Sequence, residues 1–174
     1  MTETSFTKKY DNELQGQVEF LQKYLTRIDK TLDVSDVQHD YSDGVVRGNL
    51  LEFKLLIDNL NAVLSQAIKI LSSMRLKGRP IPANIILISL NNTTAYLFHS
   101  ADYLDKMEQV YVGAASRNNE RFVAGDAIAK LNYSNPIEED KLIGLLREEQ
   151  YTKIHIDENC IVGWANFFYR QYPT

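Results

Sequence analysis

The chain of 174 residues contains a single cysteine, Cys160. A lone thiol excludes an internal disulfide and is typical of proteins in a reducing cytoplasm. No apolar run reaches the roughly 20 residues of a membrane-spanning helix. The first residues also lack the basic-then-apolar pattern of a secretory signal peptide. These absences predict a cytoplasmic protein that does not associate with a membrane.

Two common kinds of site are also missing from the sequence. The three histidines (His39, His99 and His155) lie far apart, and none has zinc-ligand spacing to Cys160. A glycine-rich phosphate loop followed by lysine is absent. The pattern therefore disfavours a zinc centre and a P-loop nucleotide site.

Acidic residues are absent from positions 59–101, although the chain as a whole carries a net charge of −4. The same stretch holds four cations: Lys69, Arg75, Lys77 and Arg79. One interpretation is a helix end whose cations suit the helix dipole. The other is a patch that contacts DNA phosphates. The sequence leaves both open.

Apolar periodicity predicts helices over residues 8–32, 56–74, 101–109 and 138–150, and a last helix after Asp157. Gly78 and Pro80 are expected to end the second of these helices. In the first helix the predicted buried stripe is Leu14, Val18, Leu21, Leu25, Ile28 and Leu32. Continuous apolar residues predict a strand at 85–88 that is buried on both faces. Further strands are expected at 94–98 and 153–156. Helix 56–74 would join strands 50–54 and 85–88 as a parallel βαβ unit.

The segment 43–54 predicts a tight β-hairpin closed by Gly48 and Asn49. In that register Val45 faces Glu52, and Asp43 faces Lys54. Alternation places Glu52 and Lys54 on one face and Phe53 on the other. Asp43 and Glu52 are then diagonal neighbours, close enough for both carboxylates to bind one divalent metal beside a lysine.

Acid-x-lysine spacing alone carries little information, because about one such triplet is expected by chance in a chain of this length. Glu139, Asp140 and Lys141 form a second triplet, but they fall in a predicted helix, where residues two apart diverge. Glu52 and Lys54 differ because they interrupt an apolar strand, where charge is costly unless it is paired or bound to metal. The alternative is an ordinary cross-strand ion pair between Asp43 and Lys54.

An acid on one strand, Glu-x-Lys on the next, a long helix and a buried strand together resemble the PD-(D/E)xK nuclease superfamily. Ser42 stands at the proline position of the superfamily's name. The nuclease motif covers about residues 10–98. Segment 43–54 is also similar to the amino-terminal nuclease region of bacterial restriction–modification polypeptides, and this second likeness extends over most of the chain. The resemblance implies an α/β, restriction-endonuclease-like core, with a mixed sheet of four or five strands flanked by helices.

The resemblance also implies the roles of the site residues. Asp43, Glu52 and the backbone carbonyl of Phe53 would hold Mg²⁺, with Mn²⁺ as a substitute, and Lys54 would act on the attacking water. Related nucleases often add a helical glutamine with a tyrosine four residues later. Here Gln66 is present but position 70 is isoleucine, so a solvated helix flank is the alternative for Gln66. Some members add an acid from the first helix, which would be Glu13, and a surface glutamate is the alternative there.

The restriction group fuses its nuclease to an adenine-specific DNA methyltransferase. The methyltransferase's glycine-rich loop and Asn/Asp-Pro-Pro-Tyr motif are absent here. We therefore expect residues 1–174 to be one nuclease domain of a larger polypeptide, with a core at about 10–100 and an extension at about 101–174. The expected partners are double-stranded DNA and the methyltransferase and target-recognition domains of that polypeptide. A repair or recombination nuclease, and a catalytically silent module that binds DNA or docks domains, remain alternatives.

Overall fold

The structure is a computed structural model that describes residues 9–28, 31, 44–106, 125–148 and 151–152. Its helices are α1 (Glu13–Ile28), α2 (Leu60–Leu76) and α3 (Pro136–Arg147). Its strands are β1 (Val45–Val46), β2 (Asn49–Lys54), β3 (Ile81–Pro82), β4 (Asn84–Ser89), β5 (Thr94–His99), β6 (Ala129–Asn132) and β7 (Tyr151–Thr152). Short 3-10 helices occupy Leu90–Asn92 and Ser100–Lys106.

A five-stranded mixed sheet in the order β1-β2-β4-β5-β6 forms the centre of the fold. Strands β2 and β4 are parallel and joined through α2, whereas the other neighbours pair antiparallel. The predicted α/β class, the βαβ unit and the strand after residue 93 are therefore confirmed. Strand β6 and the two-stranded β3–β7 sheet were not predicted, because their short segments show no clear alternation.

Two apolar layers cover the sheet, one on each face. On one face α1 and α3 pack against residues such as Leu51, Phe53 and Ile86. On the other face α2 packs against residues such as Leu50 and Leu87. Every residue of β4 is buried, as its unbroken apolar run predicts.

Helix α1 begins later than predicted and turns a different stripe toward the core. Asn12 accepts hydrogen bonds from the backbone amides of Leu14 and Gln15 at 2.9 and 3.3 Å, so the helix begins there. The predicted stripe is wrong at Leu14, which is 61% exposed. Aromatic packing explains the difference, because the Phe20 ring lies 5.3 Å from Phe53. The buried residues of α1 are Gly16, Gln17, Phe20, Leu21, Tyr24 and Leu25.

Helix α2 begins at Leu60, not at Leu56. Asn59 caps it by accepting a hydrogen bond from the Ala62 amide at 3.1 Å. The predicted end is confirmed, since Gly78 adopts a φ of 69° and its amide bonds to the Arg75 carbonyl at 3.0 Å.

The hairpin turn lies one residue earlier than predicted. Arg47 and Gly48 form it with φ values of 48° and 80°, so Val46 pairs with Asn49 and Val45 with Leu50. The predicted turn at Gly48 and Asn49 is wrong, because the Asn49 side chain is buried instead. Its amide donates to the carbonyls of Val46 (2.9 Å) and Leu145 (3.1 Å). Each residue of β1 therefore pairs with a β2 residue two positions earlier than predicted: Val45 faces Leu50 instead of Glu52. Because the shift is an even number of residues, each β2 side chain keeps its predicted face.

Several predictions fall partly or wholly beyond the described residues. Asp43, the strand at 153–156 and the last helix lie outside them. The segment expected to be a helix over 101–109 is a 3-10 helix over Ser100–Lys106 in its described part. Helix α3 begins at Pro136 and ends at Arg147, two and three residues earlier than predicted, because Asn135 caps its first turn.

One carboxylate joins α1 to α3. Glu139 accepts hydrogen bonds from the Tyr24 hydroxyl (2.7 Å), Lys23 (3.1 Å) and Arg27 (3.2 Å). Burial alone would raise the pKa of Glu139, but these hydrogen bonds outweigh it, so the pKa is lowered. Burial, followed by the hydrogen bond to Glu139, raises the pKa of Tyr24. The second acid-x-lysine triplet is therefore part of a helix-packing contact.

No helix within the described ranges is both long and apolar enough to cross a membrane.

Replacing Glu139 with glutamine should lower the free energy of unfolding by about 2 kcal/mol at neutral pH, because charge-assisted hydrogen bonds are lost. Since the folded-state pKa is depressed, the stabilisation is present above the unfolded pKa of about 4.3 and is lost as the pH falls through the folded value. Urea denaturation of both proteins at a series of pH values should show the difference shrinking toward acid. Glu138→Gln, in the same helical turn, is the control. A difference that does not depend on pH would contradict this assignment.

Candidate active site

Glu52 and Lys54 lie side by side on the α2 face of β2. Their positions two residues apart give them a common face, and Lys54 Nζ is 3.6 Å from Glu52 Oε1. The Glu52 side chain is 3% exposed and that of Lys54 29%. Phe53 points into the opposite core, as alternation predicts. The strand therefore holds a buried carboxylate beside a partly exposed ammonium group.

The register shows how the chemistry of this face changes along the strands. Leu50 pairs with Ile85, which pairs with Phe98, and this row is apolar. Two residues further along the strands, Glu52, Leu87 and Tyr96 form a mixed row. The last row, Lys54, Ser89, Thr94 and Asn132, is polar. The polar end coincides with the carboxyl ends of the parallel strands β2 and β4, where open α/β sheets bind ligands.

The segment that follows Lys54 is fastened to the end of β4. The Ile57 amide donates to Ser89 Oγ at 3.1 Å, and the Asn91 amide donates to the Leu55 carbonyl at 2.9 Å. Ser89 is fully buried. These two bonds hold the residues that directly follow Lys54 against the end of β4. They therefore help to fix the position of Lys54.

Asn91 extends this fastening to the segment before α1. Its side-chain amide donates to the Tyr10 carbonyl at 3.0 Å, and its side-chain oxygen accepts from the Tyr10 amide at 2.7 Å. The sequence gives no local sign of this role for Asn91, because its partner lies 81 residues away.

The side chain of Tyr10 is also held in place. Burial, with a hydrogen bond to Glu19, raises the pKa of the Tyr10 phenol to about 12.

The second predicted carboxylate, Asp43, is outside the described residues, so the predicted Asp43–Glu52 pair stays a prediction. The next residue, Gly44, is described, and its carbonyl accepts a hydrogen bond from the Leu51 amide at 3.0 Å. Gly44 therefore lies beside Leu51 of β2.

The two weaker candidates, Glu13 and Gln66, lie on different helices. Glu13 is the first residue of α1, which packs against the Phe53 face, so it does not share the face that carries Glu52. Gln66 is exposed on α2. From the predicted set, the structure therefore shows a contact between Glu52 and Lys54, and the roles of Glu13 and Gln66 stay predictions.

The four predicted DNA-contacting cations lie in the second half of α2 and directly after its end. Lys69 is half-buried within the helix, while Lys77 and Arg79 are exposed at its end. Arg75 donates to the Leu104 carbonyl at 3.3 Å, which ties the helix end to the second 3-10 helix. The first turn of α2 comes shortly after Lys54 in the chain. Because a helix of 17 residues is about 25 Å long, the cations at the end of α2 lie far from that first turn.

The donor chemistry of the pair fits Mg²⁺. This ion prefers oxygen ligands and is typically bound by only one or two carboxylates, with water completing its shell. Glu52 supplies one such carboxylate at the polar end of the sheet. No group of three or more His, Cys, Asp or Glu side chains suited to a metal occurs in the described part of the chain. The second predicted carboxylate, Asp43, lies outside that part of the chain.

No protein-family model matches this chain, and no curated protein or solved structure does so either.

The burial of the Glu52–Lys54 pair predicts a measurable coupling between the two side chains. Lys54→Met should destabilise the fold by about 1–3 kcal/mol, because it removes a cation from beside a buried carboxylate. Adding Glu52→Gln to that variant should recover part of the loss. A double-mutant cycle measured by urea denaturation should therefore give a coupling energy of about 0.5–3 kcal/mol.

Lys141→Met, which alters an exposed lysine on α3, should stay within about 0.5 kcal/mol of the unmodified chain. Strictly additive effects of Glu52→Gln and Lys54→Met would show that the two groups do not interact in solution.

Proposed function

We propose that this chain is a Mg²⁺-dependent endonuclease domain that hydrolyses DNA phosphodiester bonds in a restriction–modification system. In the proposed parent protein it is fused to an N6-adenine DNA methyltransferase and a target-recognition domain. The observation that carries the proposal is the Glu52–Lys54 pair, with Nζ and Oε1 3.6 Å apart at the polar end of a central strand. The hairpin, the parallel βαβ connection and the buried β4 also agree with the resemblance seen in the sequence.

Each residue of the pair has a distinct part in the proposed reaction. Glu52, with Asp43 and the Phe53 carbonyl, would hold the metal. When bound, Mg²⁺ supplies Lewis-acid stabilisation of negative charge on the phosphate. Lys54 would donate a hydrogen bond to the attacking water and orient it toward phosphorus, and its charge would offset the charge that develops as the P–O bond breaks. Its partial exposure leaves the ammonium group accessible from the polar end of the sheet.

A catalytically silent module that binds DNA or docks neighbouring domains is the second candidate. The observation that favours it is the 3% exposure of the Glu52 side chain, because a metal-binding carboxylate must be reached by the ion. In that case Lys54 would serve chiefly to neutralise Glu52 within the core.

Cleavage of supercoiled plasmid in Mg²⁺ separates the two candidates. Glu52→Gln keeps the size of the side chain and Lys54→Met keeps most of its stem, so both should fold. Each should slow cleavage by about 10²–10⁴-fold through loss of a catalytic group. Chelation of the metal should abolish cleavage, and Asp43→Asn should weaken Mn²⁺ binding.

The control is Lys141→Met, which removes the lysine of the second acid-x-lysine triplet and should cleave normally. Binding of plasmid without cleavage by the unmodified chain would instead support the silent module. Cleavage retained in full by both Glu52→Gln and Lys54→Met would contradict the catalytic assignment.

A further inference from the structure

Strand β6 brings a second lysine to the face that carries Glu52 and Lys54. Lys130 pairs with Tyr96, Tyr96 pairs with Leu87, and Leu87 pairs with Glu52. Residues that pair directly share a face, so Lys130 lies on the same side of the sheet as Glu52. Lys130 is exposed, whereas Glu52 is buried. The residue has no part in the function proposed above.

The Tyr96 ring supports the lysine. Lys130 Nζ lies 5.6 Å from the ring centroid, and the half-buried ring packs against the α2 core. A cation over an aromatic face is held by the ring quadrupole and loses conformational freedom. Because the ammonium group covers the ring, this face is poorly suited to stacking an unpaired base. It suits an anionic ligand better.

The strand positions on this face have a charge balance that favours an anion. In the described strands they carry two lysines, Lys54 and Lys130, and one acid, Glu52, which is already paired with Lys54. Beside Lys130 lie the polar side chains of Thr94 and Asn132, which pair with each other across β5 and β6. Lys130 and Asn132 are exposed, so they form an accessible cationic and polar surface on the face that carries the candidate active site.

The distance between Lys130 and Glu52 is compatible with a DNA duplex that extends from the scissile phosphate across the sheet. Strands β2 and β6 are separated by three inter-strand steps of about 4.8 Å, so Lys130 lies about 14 Å across the sheet from Glu52. A duplex carries one phosphate per about 1.7 Å of its axis, so such a distance spans several phosphates. The cations at the end of α2 lie further away, near the other end of a helix about 25 Å long.

We propose that Lys130, held over Tyr96, contacts a backbone phosphate of duplex DNA that lies across β5 and β6 while the scissile phosphate is at Glu52 and Lys54. This inference rests on the proposed function, since it assigns part of the substrate surface of the same site. The contact is to the sugar–phosphate backbone, so it contributes affinity and orientation without reading sequence.

Equilibrium binding tests this assignment separately from catalysis. The chain with Glu52→Gln, in which cleavage should be slowed about 10²–10⁴-fold, is titrated with chelator present against a fluorescent 20-base-pair duplex at several NaCl concentrations. Adding Lys130→Met should weaken binding about 5–10-fold near 0.1 M salt and reduce the slope of log K against log salt by about one, because one phosphate contact is lost. Lys130→Arg should restore both quantities.

Lys141→Met in the same background is the matched control, since it removes an exposed lysine from α3 on the other side of the sheet. It should leave the affinity and the salt slope unchanged. Equal behaviour of Lys130→Met and Lys141→Met would overturn the assignment while leaving the nuclease proposal intact. A larger effect of Lys130→Met on single-stranded than on duplex DNA would overturn the choice of ligand. Failure of the parent chain to bind any duplex would overturn the proposed function as well.

Discussion

Burial of β2 on both faces is the constraint on which the rest of the structure depends. A strand between two apolar layers must alternate its side chains between them. Leu51 and Phe53 fill the layer beneath α1 and α3, so Glu52 and Lys54 are directed to the α2 layer. A carboxylate there is tolerable because Lys54 lies 3.6 Å away. The same alternation that builds the core therefore creates the candidate site.

Polar contacts then fix the strand in place. Asn49 is fully buried at the start of β2, and its side-chain oxygen accepts from Asn84 at 3.0 Å while Asn84 contacts His99 Nδ1 at 3.1 Å. At the other end of β2, Ser89 and Asn91 secure the segment after Lys54. A buried amide left without its partners costs about 1–3 kcal/mol. Slippage of β2 would break several such bonds, so the position of Glu52 and Lys54 is well defined.

The sequence was informative where burial sets the pattern and less so where long-range polar contacts decide. The apolar run of β4 predicted a strand buried on both sides, and the period of α2 with Gly78 predicted that helix and its end. The turn was misplaced because Gly48 and Asn49 form a favourable turn pair locally, whereas Asn49 is used instead to bond Leu145, 96 residues away. Likewise, the stripe of α1 follows the ring of Phe20, whose partners Phe53 and Tyr133 lie far along the chain. Within the site, the facing of Glu52 and Lys54 followed from alternation alone, but the placement of Lys130 on the same face required the pairing of β5 with β6.

Diffraction from crystals soaked in Mn²⁺ tests the catalytic assignment of the Glu52–Lys54 pair most directly. The anomalous signal of the metal should lie about 2.1 Å from a carboxylate oxygen of Glu52, with the Lys54 ammonium beside it and Asp43 as the second protein ligand. Crystals of the Glu52→Gln variant should lose that signal. Manganese bound only elsewhere, with Glu52 still held against Lys54, would show that the pair is a structural ion pair and that the chain does not cleave DNA through it.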